Sequence, residues 1–200
     1  MSRGSLYLDT PLTKALFRFF SSLEQDLRKE SPADGAIRAY IFGGCALHIH
    51  TNARGSNDID VEFNSARWLN RQDVVITKQA VDYKADGRTR TLVFDQNFTP
   101  TLGPLHEDYQ ADAIRLQARK KPSPLWIYVV TAEDLAVSKL GRYGEQDRKD
   151  ILTLLSMGKM GSDSFSRRAR EAIAYYVGNH STVTGNLDHV LRLNQQQRGT

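Results

Sequence analysis

Residues 37–60 constrain the fold more than any other part of this chain. Residues 37–42 (IRAYIF) form a short apolar run rich in β-formers that leads straight into Gly43-Gly44. Residues 45–51 are expected to form a short helix, and residues 52–57, polar and containing Gly55, a loop. In residues 58–63 carboxylates and apolar side chains alternate, which is the period of a strand. The order strand, Gly-Gly, helix, strand belongs to an α/β framework.

The flanking sequence extends this frame. Thr10 can cap a first helix with Pro11 in its first position. Leu12, Ala15, Leu16, Phe19, Leu23 and Leu27 then recur on one helical face. Ser31-Pro32-Ala33-Asp34-Gly35 ends that helix. Residues 68–79 fit neither period. Residues 81–84 and 90–94 flank Asp86-Gly87, a hairpin signal. Residues 100–108 read as a loop, 111–117 as a returning strand, 119–124 (RKKPSP) as a basic turn and 125–130 as a strand. At Thr131 the character changes: it caps a helix carrying Glu133 and Asp134 in its first turn. Helices follow over about 132–140, 145–155, 163–177 and 186–193, with 195–200 expected to fray. The expected fold class is α/β (α+β). A mixed β-sheet flanked by helices fills residues 1–130, and residues 131–200 form a helical region that completes a cleft.

Bulk properties narrow the function classes. With 200 residues, 40% of them hydrophobic, the chain suits one domain, or one with a helical extension, and needs no covalent staples. Cys45 is the only cysteine, so no internal disulfide forms and a reducing compartment is expected. The first residues, MSRGSLYLDTPLTK, lack the apolar run of a signal peptide. No run approaches the roughly 18 apolar residues of a membrane span. A cytoplasmic protein without membrane contact is the expectation. The formal net charge of +4 permits a nucleotide or nucleic-acid partner without requiring one.

The chemistry expected of residues 43–60 follows from these elements. Glycines lack Cβ, so a bulky anion can approach the backbone at Gly43 and Gly44. The helix start behind them offers unpaired N–H groups and a positive dipole end, a natural seat for a triphosphate. On a strand, Asp58 and Asp60 point to the same face, roughly 7 Å apart at the backbone. Both carboxylates can then converge on one or two hard cations, with Ile59 turned inward. Magnesium prefers a few carboxylate oxygens plus substrate phosphates. Alone, Gly-Gly after a strand is often a tight turn, and Asp-Ile-Asp a solvated edge. Their order within eighteen residues favours a site.

The segment IFGGCALHIHTNARGSNDIDVEF resembles the nucleotidyltransferase superfamily signature: Gly-Gly or Gly-Ser, a spacer, then Asp-apolar-Asp-apolar. Arg54-x-Ser56-x-Asp58 resembles the Arg-x-Thr-x-Asp of AbiEii-type toxin nucleotidyltransferases and their uncharacterised bacterial relatives. Downstream, Glu133-Asp134-Leu135-x-x-x-Lys139-Leu140, then Arg142, Asp147 and Asp150-Ile151, looks like the lysine and Arg/Asp helical motifs of that group. The resemblance implies transfer of a nucleoside monophosphate from a nucleoside triphosphate to a hydroxyl on RNA (tRNA among the choices) or protein. It implies a Mg2+ or Mn2+ cofactor and a toxin–antitoxin toxin with an antitoxin partner. Asp58 and Asp60 match the metal pair and Gly43 and Gly44 the phosphate turn, and the resemblance makes Arg54 and Ser56, which precede the pair, further nucleotide-binding residues. Lys139 matches a triphosphate-contacting lysine, and Asp147 an acidic residue close to it. The superfamily's third carboxylate has no unambiguous match. Asp95, after residues 91–94, is the first choice as catalytic and metal ligand, with Asp82 and Asp112 as alternatives. Without a third carboxylate, a non-catalytic nucleotide- or partner-binding module is the rival reading.

Lys139 has a geometric argument of its own. Leu135, four residues earlier, shares its helical face, so the lysine stem can lie on apolar surface and send its ammonium into an adjoining cleft. Asp147 could hold it there when no nucleotide is bound. The other tempting residues read differently. His48 and His50 lie two apart on a helix and diverge, a poor chelate. Cys45 reads as a small buried residue. Arg167, Arg168 and Arg170 read as a solvated face, with an RNA-backbone track as the alternative.

Overall fold

A computed structural model describes residues 5–29, 33–65, 79–116 and 122–199. The ambiguous stretch 68–78 and the basic residues 119–121 lie outside them. Helix α1 (Pro11–Lys29) starts as its sequence predicts: the Thr10 hydroxyl accepts the Thr13 N–H at 3.2 Å. Its face of Leu12, Ala15, Leu16, Phe19, Leu23 and Leu27 is buried.

The strands are β1 (Ile37–Ile41), β2 (Asp58–Ile59), β3 (Val61–Ser65), β4 (Ala80–Ala85), β5 (Arg88–Phe94), β6 (Ile114–Arg115) and β7 (Leu125–Val129). They make two mixed sheets rather than the expected one. The larger has the order β3-β1-β7-β6, with β1 and β7 parallel and the outer strands antiparallel to them. The smaller has the order β2-β5-β4. The division falls inside the expected strand 58–63. β2 pairs with β5 and β3 with β1, so the chain changes neighbours at Asp60. The Asp60 carbonyl accepts the Phe42 N–H at 2.9 Å, while the Ile59 carbonyl accepts that of Asp95 at 3.2 Å. The ends of β1 and β5 therefore meet at Asp60. The smaller sheet is closed by the β4–β5 hairpin around Asp86-Gly87, as its sequence predicts. α1 packs on β4, and the Phe19 ring stacks on Phe94 at 5.6 Å.

Helix α2 (Gly43–Thr51) begins two residues earlier than expected, at the glycines themselves. All of it but Gly43 is buried, among α1 and two later helices, α4 (Ala132–Ser138) and α5 (Glu145–Ser156). His48 and His50 do diverge. His48 Nδ1 donates to the Arg54 carbonyl (2.7 Å), and its Nε2 lies 2.8 Å from the Thr10 hydroxyl. His50 Nε2 donates to the Val130 carbonyl (2.8 Å). The carbonyls can only accept, which sets the neutral tautomers. Residues 111–117 do not return as a full strand. Among the described residues a one-turn helix α3 (Tyr109–Asp112) takes the first two, with Asp112 paired to Arg168 at 2.8 Å, and the two-residue β6 follows.

In α4, the Thr131 hydroxyl accepts the Asp134 N–H at 3.0 Å, the predicted cap. Then come α5, α6 (Ser162–Tyr175) and α7 (His180–Arg198). α7 overruns the expected 186–193 at both ends. The Asn179 side chain caps it by accepting the Thr182 N–H (3.0 Å). Asn194, buried, donates to Ser162 (2.9 Å), so residues 195–198 remain helical rather than frayed. Arg168 is not part of a solvated basic face either. Its guanidinium donates to Asp134 at 2.8 and 2.9 Å and pairs with Asp112, tying α6 to α4 and α3. Arg170 pairs with Asp188 at 3.1 Å. A single core runs from Leu12 to Val190 across position 130. No described helix is long and apolar enough to cross a membrane.

Burial holds the pKa values of His48 and His50 below 6.5, only partly offset by their carbonyl hydrogen bonds. The unfolded chain therefore binds protons below pH 6.5 that the folded chain refuses, and stability falls as pH drops. The melting temperature should be level above about pH 7 and decline from pH 6.5 towards 5. In His50→Gln that decline should shrink; an unchanged slope would assign it to other groups.

Candidate active site

Asp60 stands where the two sheets diverge, and its carboxylate covers the start of α2. A Cβ on Gly43, where φ is +57°, would fall 1.7 Å from Asp60 Oδ2. Gly43 is thus required both by a left-handed backbone and by the closeness of this carboxylate. Burial, then the charges of Asp58 and Asp95, push the Asp60 carboxyl above its usual range; Lys139 and the Gly44 N–H oppose them. Asp95 follows β5 directly, and its Oδ1 accepts the Asn97 N–H at 2.9 Å. Asp58 is exposed, in register with Val93 on the outer face of the smaller sheet.

The opposite edge is a network of three cations on two buried carboxylates. Lys139 follows α4 immediately and is 7% exposed. Its ammonium lies 2.8 Å from Asp150 and 3.4 Å from Asp147. Asp150 also accepts both arms of Arg54 (2.8 and 2.7 Å) and the Gln146 amide (2.8 Å). Asp147 accepts Arg142 at 2.7 and 2.8 Å and the Gly144 N–H at 3.1 Å, which caps α5. Burial raises both carboxyl pKa values, but these partners outweigh it and hold both below the usual range. Three cations sharing two carboxylates leave one net positive charge beside the Asp60 edge.

Between these edges lies a cleft of about 280 Å³. Phe42, Gly43, Asp60 and Asp95 line one side; Ser138, Lys139, Arg142 and Asp147 line another. A third wall, within residues 97–103, comes from Asn97, Phe98, Thr99, Pro100, Leu102 and Gly103 and overlaps the start of the expected loop 100–108. It includes the 3₁₀ turn Pro100–Leu102. Glycines fasten this wall to the turn after α4. A Cβ on Gly103 would meet the Ser138 carbonyl at 2.4 Å, and one on Gly141 would meet the Gly103 Cα at 2.7 Å.

Of the residues expected at the site, Gly43, Asp60, Asp95, Lys139 and Asp147 line this cleft. Gly44, Arg54, Ser56 and Asp58 do not. The space beside Gly44 belongs to the protein: a Cβ there would meet Ser56 Oγ at 2.5 Å and Arg54 at 3.1 Å. Ser56 is occupied in shaping the entry to β2, where its hydroxyl donates to the Asp58 carbonyl at 3.0 Å. Arg54 is occupied by Asp150. Of the alternative third carboxylates, Asp82 accepts Thr91 at 2.6 Å on the exposed hairpin and Asp112 is taken by Arg168. Asp150, which the sequence places in the Arg/Asp helical motif without a role of its own, shares the buried face of α5 with Asp147, Ile151 and Leu154. Two carboxylates on an apolar face demand partners.

Among the described residues no three His, Cys, Asp or Glu side chains form a ready-made metal cage. Magnesium is ordinarily held by one or two carboxylates together with substrate phosphates. Asp60, buried and crowded by Asp58 and Asp95, fits that smaller requirement, because a cation would offset the burial and repulsion that raise its pKa.

The Gly-Gly turn, the carboxylate edge and the facing lysine are features of a nucleotidyltransferase-superfamily relative. The sequence model of the family described as "Nucleotidyltransferase of unknown function (DUF6036)" matches residues 14–187, and the chain belongs to that family. Comparison with curated proteins finds no match.

Two stability outcomes follow from the packing. Gly44→Ala should cost about 1–3 kcal/mol by overpacking, with partial recovery in Gly44→Ala/Ser56→Gly. Asp150→Ala, which strands Lys139 and Arg54, should cost about 3–5 kcal/mol. Lys149→Ala, which removes only the exposed Lys149–Glu145 pair, should change stability far less than Asp150→Ala. Urea titration of the four proteins checks all of this; an Asp150→Ala protein as stable as Lys149→Ala would refute the network's role.

Proposed function

We propose that this protein is a metal-dependent nucleotidyltransferase that moves a nucleoside monophosphate from a nucleoside triphosphate to a hydroxyl on RNA or protein. The observation that carries this reading is one cleft with the Asp60–Asp95 carboxylates facing Lys139 and Arg142. In the reaction, the acceptor hydroxyl oxygen bonds to the α-phosphorus. The bond from that phosphorus to the oxygen bridging to the β-phosphate breaks, and pyrophosphate leaves. The hydroxyl proton passes to a carboxylate oxygen of Asp95, whose other oxygen is kept in place by the Asn97 N–H. Lys139 and Arg142 draw the β- and γ-phosphates and offset the charge growing on the leaving group. A Mg2+ or Mn2+ ion held by Asp60 together with the substrate phosphates would polarise those phosphates and lower the repulsion between the carboxylate edge and the nucleotide.

In this reading residues 131–200 complete the nucleotide cleft, since they contribute Lys139, Arg142 and Asp147. The resemblance to AbiEii-type toxins extends the proposal to a toxin neutralised by an antitoxin protein. The deciding experiment incubates the protein and magnesium with each α-labelled triphosphate and total bacterial RNA or lysate. Label should enter RNA or protein, and Asp60→Asn should reduce transfer by about a hundredfold or more with its melting temperature preserved. Full transfer by Asp60→Asn would sink the mechanism. Nucleotide binding with no transfer to any acceptor would instead favour a binding module.

A further inference from the structure

We infer that the wall of residues 97–103 is a preformed nucleobase subsite, with Phe98, Pro100 and Leu102 as its apolar surface and Asn97 as its polar reader. The inference rests on the nucleotide reading above and extends it to the part of the nucleotide that the charged edges cannot bind.

Polarity is the first argument. The other two sides of the cleft carry Asp60, Asp95, Lys139, Arg142 and Asp147, whereas residues 96–105 contain no ionisable side chain. A nucleoside triphosphate divides in the same way, into a highly charged tail and a flat, uncharged base with apolar faces and a hydrogen-bonding rim. The tail is matched to cations and a metal, which leaves the uncharged wall for the base.

Exposure is the second. Leu102 lines the cleft yet is 76% exposed, an apolar side chain facing the opening with nothing over it among the described residues. Phe98 is half-buried, with its ring 5.5 Å from that of Phe42, another cleft residue. Bases lie well on such surfaces, because every base has an apolar π-face. The Asn97 side chain makes no hydrogen bond to any described residue. A carboxamide offers a donor and an acceptor together, the pairing that base edges present.

Rigidity is the third. The wall is fastened at its start by the Asn97 N–H on Asp95 and near its end by the Tyr176 hydroxyl, which donates to the Leu102 carbonyl at 3.1 Å. Gly103 abuts Gly141, between Lys139 and Arg142. The distance from base surface to phosphate cations is thereby set before any ligand arrives, which limits the ordering cost of binding.

Calorimetric titration of the full chain with ATP, GTP, CTP and UTP in turn, and with inorganic tripolyphosphate, each with magnesium, tests this. The wild type should bind at least one nucleotide more tightly than tripolyphosphate. Leu102→Ala, at an exposed position where folding is not at stake, should weaken that nucleotide about tenfold and leave tripolyphosphate affinity unchanged. Asn97→Ala should narrow the differences among the four bases. If Leu102→Ala leaves nucleotide affinity unchanged, or weakens nucleotide and tripolyphosphate alike, the wall does not hold the base, although nucleotide binding stands; it then faces the acceptor. Equal wild-type affinity for nucleotides and tripolyphosphate would also overturn the subsite. Binding of neither would overturn the nucleotide reading itself, and the subsite with it.

Discussion

The carboxylate of Asp150 is the interaction on which the rest of the site depends. It is buried, and on its two oxygens it collects Arg54 from the loop before β2, Lys139 from the end of α4 and Gln146 from its own helix. A charge so far from water is costly unless its partners are well placed. The requirement works in both directions: the partners fix Asp150, and Asp150 fixes them. The loop leading to Asp58 and the ammonium of Lys139 therefore share one anchor, although they lie far apart along the chain. Such a network adds little net stability compared with apolar packing, but it strongly restricts which arrangements the two segments can adopt.

The sheets give the same site its second constraint. The larger sheet delivers Phe42 and Gly43 from the end of β1, the smaller delivers Asp95 from the end of β5, and Asp60 belongs to the crossing between them. Its carboxylate rests against Gly43 and accepts the Gly44 N–H at the start of α2, the place expected from the sequence to seat a phosphate. The positive end of α2 thus supports the carboxylate edge directly. In the proposed reaction phosphate attraction falls to Lys139 and Arg142, which together with Arg54 carry one charge more than Asp147 and Asp150 neutralise.

Local chemistry made much of this legible. Helical spacing identified the buried face of α1, Asp86-Gly87 the hairpin, and Thr131 the start of α4, since each depends on residues within a few positions of one another. Of the expected site, Gly43, Asp60, Asp95, Lys139 and Asp147 do meet in one cleft. What remained hidden depends on partners far away in the chain. Arg54 and Asp150 are 96 positions apart, and no period connects them. The break at Asp60 follows from which strands lie alongside, because alternation is equally compatible with one strand or two. Gly103 and Gly141 look like ordinary loop glycines until their backbones touch. The length of α7 was masked by Gly185, a weak helix former that the Asn179 cap and the burial of Asn194 override.

The β4–β5 hairpin has a consequence for how the chain can vary. Its tip at Asp86-Gly87 is exposed and distant along the strands from Asp95, while near the base of β5 Leu92 is buried between the exposed Thr91 and Val93. Paired insertions at the tip would lengthen the arm and keep that alternation, so the hairpin is free to grow or shrink there. A single insertion or deletion within β5 would turn Leu92 outward and swing Asp95 to the wrong side. Length variation is therefore confined to the tip, where the turn can absorb it, a restriction imposed on a surface hairpin by one carboxylate at its base.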